Sequence, residues 1–60
     1  MLESYERKLI RGAISKIEDM LVVLNEKQFN FDAADEAARV ENEAMIEELK
    51  EAQEELESLL

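Results

Sequence analysis

The 60-residue chain has no cysteine, no histidine, no proline and no tryptophan, and only one glycine. Each absence removes a class of chemistry. Without Cys there is no disulfide, no thiolate nucleophile and no Cys-based zinc site. Without His the commonest metal ligand and acid–base side chain is missing as well. The lack of Pro and near-lack of Gly leave little turn chemistry, and the expected fold is all-α. Long apolar runs are missing too. The longest is the five residues Met20 to Leu24, far short of a signal-peptide core or a membrane span, so a cytoplasmic protein without membrane attachment is expected.

What remains is a charged helix-former's composition with a net charge of −9. The charge is unevenly placed. Residues 1–31 balance five acids against five bases, whereas residues 32–60 set eleven acids against Arg39 and Lys50 alone. Large apolar side chains run the other way, with fourteen in the first stretch and seven in the second. The first half has the material of a core and the second that of an acidic outer wall.

From Leu2 to about Glu26, apolar residues recur at steps of three and four: Leu2, Tyr5, Leu9, Ile10, Ala13, Ile14, Ile17, Met20, Leu21 and Leu24. This is the period of one amphipathic helix. Val22 and Val23 widen the stripe beyond what one partner helix covers, which implies a bundle of more than two helices. The period breaks over residues 25–32. There Asn25 and Asn30 tolerate left-handed backbone, and Asp32 makes an N-cap for a second helix starting near Ala33, with Asp35 and Glu36 in its first turn. Phe29 and Phe31 flank this turn and are expected to plug the end of the bundle, the alternative being an exposed binding patch.

The second helix carries a heptad pattern. Ala38, Met45, Ala52 and Leu59 are seven apart, with Asn42, Leu49 and Leu56 interleaved as the other seam position. Ile46 and Leu60 flank that seam. Asn42 either fixes register and oligomer state, as polar seam residues do, or is solvated or locally bonded. Two helices of roughly 25 residues joined by a short turn make an antiparallel hairpin about 38 Å long. Two hairpins would complete a four-helix bundle, with Leu9, Ala13, Ile17, Met20, Leu24, Met45, Leu49, Leu56 and Leu59 as the oligomer core. In length, turn position and acidity this outline resembles the Rop family, helical-hairpin dimers that bind RNA.

Catalysis would have to come from carboxylates, Lys, Ser and one Tyr, and no pair of these sits in a context that perturbs its acidity. A non-enzymatic protein without cofactor is therefore expected. A di-iron carboxylate bundle needs Glu-x-x-His pairs, and the group Asp32, Asp35, Glu36 lacks the alternating ligands and central Gly of a calcium loop, so no metal site is expected.

Two charged faces carry the functional content. On helix 2, Glu43, Glu47, Glu51 and Glu55 are four apart, with Glu48 and Glu54 beside them and Lys50 the only local base. Like charges at this spacing destabilise a helix by a few tenths of a kcal/mol per pair. They make either a solubilising face or a rod of negative charge matched to the basic groove of a partner protein, as in an inhibitor or neutraliser. Size and missing catalytic equipment suit an accessory protein of a phage or plasmid. On helix 1, Ser4, Arg7, Lys8, Arg11 and Ser15 share the side away from Leu9 and Ala13. This basic face either binds a small anionic ligand, a nucleotide or an RNA, or pairs with Glu3 and with helix 2 carboxylates across the hairpin or from a second subunit. Gly12 borders it, and an interior Gly points to close approach by a ligand or a helix. Tyr5 is expected to pack in the core, with stacking on a base as its alternative. A third reading makes the chain a structural oligomerisation module.

Overall fold

The computed structural model describes residues 2–60 as two helices packed side by side in an antiparallel hairpin. Helix α1 spans Ser4–Gln28 and helix α2 spans Glu36–Ser58, with a 3-10 turn at Ala33–Asp35 leading into α2. No strand occurs among the described residues. The molecule is a slender rod, 49 × 15 × 10 Å.

At the start of α1 the Glu6 carboxylate accepts the Glu3 N–H at 3.3 Å, which satisfies one donor that the helix itself leaves free. Its other end closes without left-handed backbone. No described residue has positive φ. Instead the N–H groups of Phe29 and Asn30 turn back to the Glu26 and Lys27 carbonyls, and the Asn30 side-chain amide donates to the Glu26 carbonyl at 3.1 Å. The side chain does what a left-handed residue was expected to do.

The entry to α2 differs from expectation. Asp32 has the extended backbone of a cap, but its carboxylate makes no capping bond. It is the Asp32 carbonyl that accepts the Asp35 N–H, at 2.9 Å, and this closes a 3-10 turn before the α-helix begins at Glu36. Phe29 packs on nothing within the hairpin, being 88% exposed. Phe31 is half-buried, with the Lys27 ammonium 5.8 Å from its ring centroid. Of two nearly adjacent aromatics, the one after the turn folds back.

The seam between the helices runs through Ile10, Ile14, Ile17, Leu21, Leu24 and Gln28 on α1, alternating three- and four-residue steps, all buried or half-buried. On α2 the matching series is Arg39, Asn42, Ile46, Leu49, Gln53 and Leu56. The expected heptad is thus half right. Asn42, Leu49 and Leu56 lie at the seam, but their companions are Arg39, Ile46 and Gln53. Ile46 is among the most buried residues, while Ala38, Met45 and Leu59 are exposed. Packing chooses this phase because it sets the β-branched Ile46 level with Leu21 and Leu24 of α1, and Leu56 level with Ile14. Asn42 is neither solvated nor free. It is 1% exposed and donates to the Leu24 carbonyl at 2.9 Å and to the Gln28 side-chain oxygen at 2.7 Å. Its own carbonyl oxygen is buried without a partner.

Candidate functional site

The hairpin has two broad faces, one on either side of its seam. With 100° per residue on each helix, Ala13, Met20, Leu9, Tyr5 and Val23 follow the α1 seam on one side, and Met45, Ala52 and Leu59 follow the α2 seam on the same side of the rod. Met20, Leu24, Met45, Glu48, Leu49 and Ala52 line one shallow groove on that face. The apolar stripe continues along α1 as a shelf formed by Tyr5, Leu9, Gly12 and Ala13 with Lys8 and Lys16. Tyr5, Leu9, Met20, Met45 and Leu59 are all exposed, so Tyr5 is not a core residue of the chain. Gly12 has no atom of the chain within 4 Å of where a Cβ would stand. No neighbour within the hairpin accounts for that glycine.

The opposite face is charged, and its glutamates are not equivalent. Glu43 is held by the fold: it accepts from the Gln28 amide at 2.9 Å and from the Arg39 guanidinium at 3.0 Å. Arg39 also reaches Glu36 at 3.3 Å. Glu47 lies 4.0 Å from Lys50, a loose surface pair. Glu48, Glu51, Glu54 and Glu55 are exposed and make no ion pair among the described residues. Glu48 stands at the rim of the apolar groove, and Glu55, seven residues on, shares that edge. The residue count along α2, nine acids against Arg39 and Lys50, leaves that helix at −7, while α1 carries +1.

The basic residues of α1 also stand open. Ser4, Arg7, Lys8, Arg11 and Ser15 are exposed, and none of the three cations makes an ion pair among the described residues. Within the hairpin the expected pairs with Glu3 and with α2 carboxylates are not formed. For the α2 carboxylates, register supplies the reason. Gln53 donates to Glu18 and Asn42 to Gln28, so residues level with one another have numbers that sum to about 70. Arg11 therefore lies beside the end of α2, and Arg7 and Lys8 lie past it.

Neither face holds a metal-binding group: among the described residues no three acidic side chains gather closely enough to hold an ion. No helix is long and apolar enough to cross a membrane. No protein-family model, curated protein or solved structure matches the chain.

Proposed function

We propose that the protein is a non-enzymatic binding protein that blocks a basic surface of a partner protein with the carboxylates of α2. The observation that supports this reading is the row Glu47, Glu51 and Glu54, exposed on a helix of charge −7 with Lys50 as its one nearby cation. Glutamates at four-residue spacing repel one another and cost the helix a few tenths of a kcal/mol per pair. A solubilising face gains nothing from that alignment, because interspersed Lys would serve solubility without the repulsion. A row at about 6 Å spacing matches a groove that binds a polyanion, and its field speeds the encounter with such a groove. Glu43 is a weaker contact because Gln28 and Arg39 already occupy it.

The test compares the native chain with a Glu47→Lys, Glu51→Lys, Glu54→Lys variant. Both are immobilised and exposed to extract of their native cells at low salt. A protein with a basic surface, held by the native chain, released by salt and lost with the variant, is expected. Circular dichroism reports that the variant stays helical. Equal retention by both chains would overturn the reading.

A second reading is favoured by one observation, that Arg7, Lys8 and Arg11 are exposed and free of carboxylate partners among the described residues. With Ser4 and Ser15 they offer three cations and two hydroxyls to a nucleotide or a short RNA. Fluorescent ATP and a short labelled RNA, titrated at low salt, are the probes. Binding that falls with salt and is lost on changing Arg7 and Arg11 to Ala supports it, and absence of binding to either probe refutes it.

A further inference from the structure

The accessible surface of the hairpin is 4871 Å². A folded monomer of its mass, 6.9 kDa, is expected to expose about 4000 Å². The surplus of roughly 900 Å² is close to the ~800 Å² that each partner contributes to a standard stable interface. Only Ile14, Leu21 and Ile46 form a buried apolar core, and of the open large apolar residues Tyr5, Leu9, Met20, Val23, Met45 and Leu59 share one face, while Val22, Val40 and Phe29 lie off it. The open face has a charged rim, and the two edges differ in sign. Along α1, Lys16 and Lys27 border it, and along α2, Glu41, Glu48 and Glu55 do so at seven-residue intervals.

We infer that this face is covered by a second copy of the chain, related by a two-fold axis parallel to the helices, so that α1 of each copy lies antiparallel on α2 of the other. Two closed arrangements are available to a pair of such hairpins. If the axis runs across the helices, α1 meets α1 and α2 meets α2. That sets lysine edge against lysine edge, and glutamate edge against glutamate edge. If the axis runs along the helices, each lysine edge meets a glutamate edge.

Rotation about a lengthwise axis keeps every residue at its own level, so the register of the single hairpin also governs contacts between copies. Lys16 then falls between Glu48 and Glu55 of the second copy, and Lys27 within a turn of the second copy's Glu41. Met20 and Val23 come to rest near Met45 of the second copy, and Leu9 near its Leu59. The acidic row Glu47, Glu51 and Glu54 stays on the outside, so the assembly leaves the partner surface free.

Sedimentation across a concentration series, on the native chain and on charge-swapped variants, tests both the occupant and the orientation. The native chain should be a dimer. Lys16→Glu should weaken it roughly five- to tenfold, and Glu48→Lys with Glu55→Lys, added to Lys16→Glu, should restore it. In the crosswise arrangement Lys16→Glu sets like charge against like charge just as the lysines did, and Glu48→Lys with Glu55→Lys lie on a different edge, so failure of the triple change to restore the dimer would overturn the lengthwise orientation. A tighter dimer, a monomer at every concentration, or a larger ring would each overturn the proposal. Retained partner capture by a monomeric chain would do so while leaving the function of the acidic row intact.

Discussion

Asn42 reaches across the hairpin from α2 and donates its amide to the Leu24 carbonyl of α1 at 2.9 Å. The second hydrogen of the same nitrogen goes to Gln28 at 2.7 Å, and Gln28 in turn donates to Glu43 at 2.9 Å. A four-residue network thus pins the two helices together near the turn. Beyond Glu43 it continues to Arg39 and Glu36, so the charged surface and the seam are tied at this one level.

Two changes at Asn42 should separate. Asn42→Ala removes two hydrogen bonds together with an unpartnered buried oxygen, and should cost about 1 kcal/mol, a fall of roughly 4–8 °C in the unfolding midpoint. Asn42→Asp leaves a buried carboxylate facing the Leu24 and Gln28 oxygens, which costs several kcal/mol and should unfold the hairpin at neutral pH. Acidification to about pH 4, where the introduced acid takes up a proton, should recover part of the helicity. Thermal melts at one fixed protein concentration make the comparison. Equal damage from both changes would show that the amide hydrogens are not used as described.

Gly12 lies inside α1 with ordinary negative φ and open space where a Cβ would stand. Gly12→Ala should therefore stabilise the chain by about 1 kcal/mol through helix propensity alone, and raise the unfolding midpoint. A lowered midpoint, or loss of a bound ligand, would show that something outside the single hairpin comes close to this backbone.

Phe29 and Phe31 should respond differently to truncation. Phe29→Ser should move the stability by less than about 0.5 kcal/mol, because that ring is solvated already. Phe31→Ala removes a half-buried ring that lines the turn with Ala33 and Arg39 and stacks under Lys27, and should cost about 1 kcal/mol or more. Urea titration of the two variants reads the difference, and equal effects would contradict the placement of the rings.

The helical hairpin was legible in the sequence because the three- and four-residue period, the missing Pro and the break over residues 25–32 all agree. The phase of α2 was not. Met45 and Ile46 belong to two heptad series that share Asn42, Leu49 and Leu56, and Arg39 and Gln53 disguise the one that packs. Only the side of α2 turned towards Ile14 and Leu21 decides between them, and that is a property of the pair of helices. The turn was misread for a similar reason. Asp32 is a good cap by composition, but a 3-10 turn uses its carbonyl instead of its carboxylate. As for the candidate site, spacing alone placed Glu47, Glu51 and Glu55 on one line. It could not show that Glu43 is spent on Gln28 and Arg39, which lie fifteen and four residues away. Nor could it show that the α1 cations run past the end of α2, since that depends on the register of the hairpin.

The division of charge between the helices, +1 on α1 and −7 on α2, has a consequence at distances where no side chain is yet in contact. In one hairpin, two rods of unequal charge make a dipole that points across the 15 Å width and not along the 49 Å length. In a pair related by a lengthwise two-fold axis these transverse dipoles cancel and leave two acidic edges at opposite corners of the bundle. In the field of a positively charged surface such a body turns about its long axis until one α2 leads, half a turn presents the other, and it arrives broadside with a glutamate edge first. Orientation is settled over the last Debye length, about 8 Å at physiological salt, and added salt should slow the capture rate before it weakens the final complex.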